Sequence, residues 1–296
     1  MILPKFELLE PTTIRSACTA LQNGESTKVL AGGTDLLVNM KKKLATADVL
    51  VSLEKIPRLQ SNVYSSRKGL TLGSMVTIAE VAESSSVKTN FPVLAVAAGK
   101  LGSLQVRNRA TIGGNICTAR PSGDTVGPLI AYDATVQVTG VKGSREEPVQ
   151  NFILGPGRTT LGKDEILSAI TIKTPVKNTG GSYAKYGVRN AMEIAIVSVT
   201  CLVTIQNGAC RSARIVLGAV APTFIRCPEA EQFLVGKEIS ENVVEKAAQL
   251  SADVSTPNTS RRGTSEYRRT LVNVLVKRGL LEAAANASNA SSGERS

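Results

Sequence analysis

Two short glycine-containing segments carry the residues best suited to bind a ligand. Residues 31–35 read Ala-Gly-Gly-Thr-Asp, and residues 111–115 read Thr-Ile-Gly-Gly-Asn. Adjacent glycines allow positive φ and a close approach of the backbone, so that successive N–H groups can point into one anion-binding concavity. The two segments therefore predict a diphosphate ligand that is held from both sides.

Each segment adds polar side chains to its glycines. Thr34 and Thr111 can each donate a hydroxyl to a phosphate oxygen, and the Asn115 amide can donate to one group while it accepts from another. Asp35 would repel a diphosphate, so we expect it to cap the following helix or to hold the loop. A tight turn is the alternative interpretation of each glycine pair. Neither segment has the spacing of a G-x-G-x-x-G dinucleotide loop or of a Walker loop.

Two further side chains are candidates for ligand contact. Asp124 ends the turn Arg-Pro-Ser-Gly-Asp, where its carboxylate could reach ribose or ribityl hydroxyls. Capping of the helix that follows is an equally good interpretation of this aspartate. Lys185 lies in the strand-like segment Tyr-Ala-Lys-Tyr, and an isolated lysine of this kind is more often a solvated surface residue.

The composition excludes several kinds of chemistry. The chain of 296 residues has no histidine and five scattered cysteines, so we predict no catalytic triad and no metal site in this chain. Any chemistry is then carried by a cofactor. The net charge of +11 comes from dispersed basic groups without a nucleic-acid recognition motif, and we expect no nucleic-acid partner. No membrane span or signal peptide is expected, which predicts a cytoplasmic protein.

The elements that position these residues follow from periodicity and turn signals. The pattern predicts a helix from residue 14, a strand at 28–31 that runs into the first glycine segment, a helical turn from Asp35 and a strand at 49–53. Further strands are predicted at 70–73 and 135–138, with helices near 78–82, 91–99 and 128–132, and the segment 165–172 closes this unit. Residues 177–181 are the best linker, and Asn207-Gly208 predicts a hairpin. Helices near 242–251 and 265–285 close the chain.

These patterns lead us to expect four segments. The character of the sequence changes near residue 60, and the linker separates it again near residue 180, so the first three segments are expected at residues 1–58, 59–176 and 182–285. The Asn/Ala/Ser-rich residues 286–296 are expected to be a disordered tail.

The sequence around both glycine segments resembles a known family. AGGTDLL, followed by VRNRATIGGNICTARPSGDTVGPLIAYDA, is similar to the FAD-binding (medium) subunit of the molybdenum hydroxylases. These enzymes include xanthine, carbon monoxide and nicotinate dehydrogenases. EILSAITI, YAKYGVRNAMEIAIVSV and GAVAPTFIRCPEAEQFLVGK extend the resemblance over residues 4–285, and they look most like the flavin subunit of bacterial xanthine dehydrogenases.

The resemblance implies an α+β fold, in which a two-part FAD-binding domain of the PCMH, or vanillyl-alcohol-oxidase-like, type precedes a C-terminal α+β domain. Residues 1–58 would be an N-terminal α/β subdomain and residues 59–176 a second, α+β subdomain, while residues 182–285 would form the C-terminal domain with a small antiparallel sheet and helices. It also implies an electron-transfer role within an oxidoreductase. Electrons would pass from a molybdopterin centre through two [2Fe–2S] clusters to FAD on this chain, and then to NAD+ or another acceptor. The molybdopterin-binding large subunit and the [2Fe–2S] small subunit would be other chains, assembled as a heterotrimer or its dimer.

The resemblance also implies roles for particular residues. The FAD diphosphate and its flanks would be lined by Leu30, Ala31, Gly32, Gly33, Thr34, Asp35, Leu36, Thr111, Gly113, Gly114 and Asn115. Asp124 would bind FAD hydroxyls, and Ile166 and Leu167 would pack near the adenine or the ring. Lys185 would contact the flavin end, where positive charge raises the flavin potential. Glu193 falls where family members place a residue close to the isoalloxazine face.

The sequence differs from two other members of the family, and these differences bear on which branch of the family it resembles. The chain lacks the Cys-bearing insertion of the 4-hydroxybenzoyl-CoA reductase subunit. Its first glycine segment has Thr34-Asp35 where the carbon monoxide enzyme has a His-Ser pair, which favours the xanthine-type branch. The alternatives are a flavin subunit of a nicotinate, aldehyde or carbon monoxide dehydrogenase, a stand-alone FAD-dependent reductase and, last, a basic nucleic-acid-binding module.

Overall fold

The N-terminal sheet is parallel and leads directly into the first glycine segment. The structure is a computed structural model and describes residues 2–189 and 191–291. The N-terminal part of the chain contains β1 (Glu7–Leu9), α1 (Ile14–Asn23), β2 (Thr27–Leu30), α2 (Leu36–Lys41), β3 (Val49–Ser52) and a 3-10 helix (Pro57–Gln60). The strands lie in the order β1–β3–β2, and both pairs are parallel. Residues 31–35 thus join the carboxyl end of a strand to a helix, where α/β sheets commonly bind ligands.

The helix predicted from residue 14 is present as α1. Thr13 is its N-cap and accepts a hydrogen bond from the backbone N–H of Ser16. The side chains of Ala17, Cys18 and Leu21 recur at helical spacing and are buried. They pack with Val51 on β3, so that α1 covers the parallel sheet.

The second sheet is antiparallel and carries the main core. Its part of the chain contains β4 (Asn62–Ser65), β5 (Gly69–Gly73), β6 (Thr135–Gly140), β7 (Gly143–Pro148), β8 (Ile153–Gly155), β9 (Arg158–Thr159) and β10 (Ile166–Ile172). The sheet order is β4–β5–β10–β6–β7, and β8 pairs with β9 separately. The helices are α3 (Ile78–Glu83), α4 (Ser85–Asn90), α5 (Pro92–Gly99), α6 (Leu104–Arg107), α7 (Ile112–Cys117), α8 (Val126–Ala131) and α9 (Val149–Phe152). Alternate strand residues such as Leu70 and Leu72 face the helices in one core.

The third sheet is antiparallel and is covered on both faces. It contains β11 (Thr179–Tyr186), β12 (Val197–Gln206), β13 (Ala209–Gly218) and β14 (Ile225–Arg226), in that order. The helices α10 (Pro228–Leu234), α11 (Glu241–Asp253) and α12 (Ser265–Ser291) follow. Leu202 and Val216 belong to the core of the second sheet, whereas Cys201 and Ile215 belong to the core under α11 and α12. Since neighbouring strand residues point to opposite faces, this sheet lies between the two cores.

The predicted linker at 177–181 is wrong for its last three residues. β11 begins at Thr179, and it pairs with β12 from that residue onward. A Cβ atom on Gly180 would lie 2.1 Å from the backbone nitrogen of Ala287 on α12. The glycine is therefore present because the helix backbone comes close to the strand, and not because the chain is flexible here.

The predicted disordered tail is wrong for residues 286–291, because α12 continues through Ser291. Ala283 and Ala287 are fully buried, and the Asn286 side-chain amide donates to the carbonyl of Gly181 at 2.9 Å. Small residues at helical spacing thus form a packing surface against β11. Residues 292–296, the rest of the predicted tail, lie outside the described residues.

The predicted hairpin at Asn207-Gly208 is confirmed. Both residues have positive φ, 53° and 78°, as a two-residue type I′ turn requires. They join β12 to β13, the longest strand pair of the third sheet. None of the helices in the described ranges combines the length and the apolarity that a transmembrane span needs.

Candidate functional site

One cleft of about 480 Å³ brings most of the predicted site residues together. Its lining includes Ala31, Gly32, Gly33, Thr34, Asp35, Leu36, Thr111, Gly113, Gly114, Asn115, Asp124, Ile166 and Leu167. Leu30 and Lys185, the two remaining predicted residues, do not line it. Leu30 packs into the small core around Met40, and Lys185 lies behind Asp124.

The first glycine segment has the open backbone that the sequence predicts. Gly33 has a φ of 73°, in the region that favours glycine. A Cβ atom on Gly32 would lie 1.8 Å from the carbonyl oxygen of Arg109, so this glycine lets the first segment approach the backbone that leads into the second. Among the described residues, the amides of Gly32, Gly33 and Thr34 have no hydrogen-bond acceptor. These N–H groups are therefore free for a ligand in the cleft.

The second glycine segment differs from the predicted amide cradle. Thr111 is the N-cap of α7, so residues 112–115 are the first turn of a helix. Their amides are already hydrogen-bonded to Val76, Ser74 and Thr111. A Cβ atom on Gly113 would lie 2.5 Å from the Cβ atom of Ser74, so this glycine allows the helix to pack against the turn after β5. The predicted second cradle of backbone N–H groups is wrong.

Asn115 provides the donor that the backbone of its segment does not. Its side-chain oxygen accepts a hydrogen bond from the Thr125 hydroxyl at 2.8 Å. The side-chain nitrogen then has no acceptor among the described residues, and Asn115 lines the cleft. Thr118, one helical turn further on, also lines the cleft, although the sequence analysis missed it. Its i+3 spacing from Asn115 was the signal that could have identified it.

Asp35 does not cap the helix that follows it. It occupies the N-cap position of α2, yet its side chain makes no capping hydrogen bond. Its Oδ1 atom instead lies 3.8 Å from Nη2 of Arg120, in the turn that leads to Asp124. Both side chains are more than half exposed, so this ion pair holds the loop only weakly.

Asp124 is a buried carboxylate at the wall of the cleft. Its Oδ1 accepts a hydrogen bond from the Tyr183 hydroxyl at 2.7 Å, and its Oδ2 accepts one from Lys185 Nζ at 2.9 Å. Burial raises the pKa of Asp124, whereas Lys185 and Tyr183 oppose that rise. Thr125, and not Asp124, takes the N-cap position of α8. The capping interpretation of Asp124 and the surface interpretation of Lys185 are therefore both wrong.

The remaining walls of the cleft are largely apolar. Ile166 and Leu167 come from the start of β10, and Leu53 and Leu161 lie in the same lining. Such a surface suits a flat, partly apolar ring system.

A second group of lining residues comes from the loop between β11 and β12. Met192, Glu193 and Ile194 all line the cleft. The Glu193 carboxylate accepts a hydrogen bond from Arg189 Nε at 2.8 Å, and this bond lowers the pKa of Glu193. Met192 and Ile194 carried no sequence signal, because their position follows only from the path of the loop.

The cysteines form neither disulfides nor a metal-binding cluster among the described residues. All five are free thiols, and only Cys117 lines the cleft. In the part of the chain that the structure describes, no group of three or more Cys, Asp or Glu side chains could hold a metal ion.

Comparison with known protein families accounts for nearly the whole chain. Residues 4–175 match the family described as the FAD binding domain in molybdopterin dehydrogenase. Residues 182–283 match the CO dehydrogenase flavoprotein C-terminal domain. The chain therefore belongs to the family of FAD-binding subunits of the molybdenum hydroxylases.

Individual relatives agree over almost their full length. The chain is 31% identical to the xanthine dehydrogenase FAD-binding subunit of Escherichia coli O157:H7, over 93% of this chain and 94% of the relative. It is 30% identical to the nicotine 6-hydroxylase medium subunit of Paenarthrobacter nicotinovorans, over 96% of this chain and 99% of the relative. The structure also superposes on a chain of carbon monoxide dehydrogenase from Hydrogenophaga pseudoflava that lacks the Mo-pyranopterin moiety. The TM-score is 0.93 at 32% identity, over 97% of this chain and 99% of the other.

These matches confirm four of the sequence-based predictions. The chain is an FAD-binding member of the predicted family, and it has the predicted two-part α+β fold with a small antiparallel sheet. It is a subunit of an oxidoreductase, and FAD is its cofactor.

Proposed function

We propose that this chain receives electrons from the [2Fe–2S] clusters of a separate small subunit and passes them through FAD to NAD+ or another acceptor. A molybdopterin-binding large subunit would oxidise the organic substrate. The observation that carries this proposal is the cleft itself, since free backbone amides, a buried carboxylate and an apolar wall line one continuous space. Relatives named as medium subunits or medium chains support a heteromeric assembly.

The residues of the cleft fit the parts of FAD. The free amides of Gly32, Gly33 and Thr34 and the side-chain nitrogen of Asn115 would hold the diphosphate. Asp124 can accept hydrogen bonds only, so it would bind hydroxyls of the ligand. The cleft thus offers donors to the anionic part of the ligand and an acceptor to its hydroxyl-bearing part.

The apolar walls would hold the two ring systems. Ile166 and Leu167 from β10 would pack against the adenine or the isoalloxazine, and Leu161 extends the same apolar surface. The loop that carries Glu193 would border the flavin end and restrict access to it.

FAD, when bound, supplies the redox chemistry, because it accepts and delivers electrons. The residues of this chain bind it, orient it and exclude water from its buried parts. A chain without histidine has no imidazole for acid–base work. Of the carboxylates that line the cleft, Asp124 is already held by two donors, and Glu193 accepts a hydrogen bond from Arg189. No substrate-oxidising step is therefore assigned to this chain.

The parent enzyme that we propose is a xanthine-type dehydrogenase, assembled as a cytoplasmic heterotrimer or its dimer. The relative named as a xanthine dehydrogenase subunit supports this branch, as does the absence of a His-Ser pair in the first glycine segment. A flavin subunit of a nicotinate, aldehyde or carbon monoxide dehydrogenase is the second candidate, because such relatives match over similar lengths.

The acceptor is tested by anaerobic titration of the FAD-loaded full chain with NADH. We expect NADH to bleach the flavin absorbance, and dithionite serves as the positive control for a reducible flavin. Bleaching by dithionite alone would exclude NAD+ as the acceptor.

The partner is tested by co-expression with a [2Fe–2S] protein and metal analysis of the purified complex. Turnover of an organic substrate by the isolated chain would instead favour a stand-alone reductase.

A further inference from the structure

Arg268 is a buried cation that lacks an anionic partner among the described residues. It is 7% exposed, although arginine is almost never buried to this extent unless it is paired. Within the described ranges, no Asp or Glu oxygen lies within 4 Å of its nitrogens. Arg226 is less buried, yet it has carboxylate partners in Glu231 and Asp133. The charge of Arg268 is therefore uncompensated in the part of the chain that the structure describes.

The hydrogen bonds of Arg268 leave part of its guanidinium unused. Nη2 donates to Ser260 Oγ at 2.6 Å, while Nη1 donates to the Ala219 carbonyl and to Asn258 Oδ1, both at 3.4 Å. A guanidinium has five N–H donors, so two remain. One is on Nε, which is buried without a partner, and the other is on Nη2. Both nitrogens are attached to the same carbon, an arrangement in which arginine can bind two oxygens of one oxyanion.

A second arginine adds its charge near the first. Burial lowers the pKa of Arg268, and the charge of Arg262 lowers it further. Arg262 is exposed, and none of the described carboxylates lies within 4 Å of it. Since two neighbouring cations repel each other, a ligand with two negative charges would stabilise the pair. Arg262 also lowers the pKa of Glu193, so the pair lies near the loop that borders the cleft.

The loop between α11 and α12 brings the two arginines together. The backbone groups of Ser260 and Gly263 bond to each other in both directions, at 3.0 and 3.2 Å. This tight turn carries Arg262 and lies next to the first turn of α12, which carries Arg268. The N-terminal end of a helix favours an anion, because its dipole is positive there. Glu266, in the same helical turn, is not within 4 Å of either guanidinium.

We propose that Arg262 and Arg268 form a binding site for a doubly charged oxyanion, either inorganic phosphate or the phosphoryl group of a larger ligand. Arg268 would hold two oxygens through Nε and Nη2, and Arg262 would supply the second positive charge. The bonds of Nη1 at 3.4 Å are long, so the guanidinium can turn toward a ligand that enters beside the exposed Ser260. Neither arginine lines the cleft, and the site does not depend on the proposed role of the cleft.

The site is tested by isothermal titration of the FAD-loaded full chain with inorganic phosphate, at an ionic strength held constant with chloride. Bound FAD keeps phosphate away from the free amides of the first glycine segment. We expect saturable binding of one phosphate, and Arg268→Met should weaken it by about 10- to 100-fold, the scale of a hydrogen bond between charged groups. Absence of saturable binding by the wild type, or equal affinity in Arg268→Met, would overturn the proposal.

Ser260→Asp tests the same site in the opposite sense. Its carboxylate would lie beside Nη2 of Arg268 and supply the missing anion from the chain itself. We expect this variant to lose phosphate binding. In phosphate-free buffer its folding equilibrium constant, from urea denaturation, should rise by about threefold or more. A Ser260→Asp chain that binds phosphate as the wild type does would contradict the proposal.

Ser66→Asp and Arg67→Met are the matched controls. They make the same changes of charge at exposed positions in the turn between β4 and β5. Phosphate affinity should change by no more than about twofold in either variant, because the Debye length at moderate salt is about 10 Å. If they weaken binding as much as the variants at residues 260 and 268, phosphate responds to net charge only and the proposal is wrong. If Arg268→Met does not fold, Arg268→Gln replaces it with the same outcomes.

A phosphate monoester, phenyl phosphate, distinguishes the two sources of the oxyanion. Binding about tenfold tighter than that of inorganic phosphate would support the phosphoryl group of a larger ligand, whereas equal or weaker binding would support the free ion. A chain that binds no FAD would refute the proposed cofactor role alone. The phosphate titration would still test this site, because phosphate bound in an empty cleft should remain in Arg268→Met.

Discussion

Gly32 is the residue at which the first glycine segment approaches the backbone at Arg109, just before the second segment. A Cβ atom there would lie 1.8 Å from the Arg109 carbonyl oxygen and 2.6 Å from its carbonyl carbon, and backbone atoms cannot move aside as a flexible side chain can. We expect Gly32→Ala to push the first segment away from the backbone at Arg109. It should weaken FAD binding by at least about tenfold and lower the free energy of unfolding by about 1–3 kcal/mol. Flavin fluorescence titration and urea denaturation measure the two effects.

Gly99 supplies the matched control for this substitution. It lies at the end of α5, and a Cβ atom there would meet nothing within 4 Å. Gly99→Ala should leave FAD affinity unchanged and raise the free energy of unfolding by up to about 1 kcal/mol. Equal effects of Gly32→Ala and Gly99→Ala would show that the close approach at Gly32 has no role in the site.

Asn115 offers a side-chain donor to the cleft, whereas the backbone amides of its segment are already hydrogen-bonded within the protein. Asn115→Asp preserves the shape and the acceptor for the Thr125 hydroxyl, but it replaces the free donor with a negatively charged oxygen. Repulsion of the diphosphate should weaken FAD binding by about 100-fold or more, with little change in thermal unfolding. Asn62→Asp, at an exposed position on β4, is the control for added charge. Unchanged affinity of Asn115→Asp would remove Asn115 from the diphosphate site.

At the scale of elements, α7 and β11 differ most from the sequence prediction. Glycine is among the poorest helix formers, so local propensity predicts a loop at 111–115. The helix forms because Thr111 caps it and Gly113 packs against Ser74. In the same way, glycines at the start of β11 predict a linker, while the close helix that requires them is about a hundred residues away. Both errors come from contacts between segments that a local pattern does not contain.

Local patterns succeed where the residue that decides the structure lies within the element. The capped amphipathic helix α1 is one case, and the positive-φ pair Asn207-Gly208 is another. Of the site, sequence alone predicts the free amides of the first segment, because they follow from its own glycines. It does not predict that Lys185 lies behind Asp124, since this depends on how the third sheet packs against α5 and α8.

The close approach of β11 and α12 has a direct test at Gly180. A Cβ atom there would lie 2.1 Å from Ala287 N and 2.2 Å from Ala283 O, so Gly180→Ala must push the helix away from the strand. We expect a loss of about 1–3 kcal/mol in the free energy of unfolding, measured by urea denaturation. Gly155→Ala on β8, where a Cβ atom meets nothing within 4 Å, is the control. A neutral Gly180→Ala would restore the linker interpretation.

At the scale of the whole molecule, the third sheet joins the two main cores. Leu202 and Val216 extend the core of the second sheet, and the residues beside them in sequence extend the core under α11 and α12. Tyr183 and Lys185 of this sheet also donate hydrogen bonds to the carboxylate of Asp124, which lines the cleft. The predicted domain boundaries near residues 58 and 176 stay predictions, but segments that share a core in this way have reason to unfold together.

Binding of FAD should therefore protect parts of the molecule that do not line the cleft. At a free FAD concentration of 100 times the dissociation constant, the stabilisation is about 2.7 kcal/mol. If unfolding is cooperative, peptides from β12 and α12 should gain hydrogen-exchange protection together with peptides from β5 and β10, under conditions where exchange requires global opening. Asn115→Asp at the same FAD concentration is the control, because its folding is intact while its affinity is low. Protection confined to the cleft-lining segments would show that the third sheet unfolds independently. The shared core would then be a contact between two autonomous units.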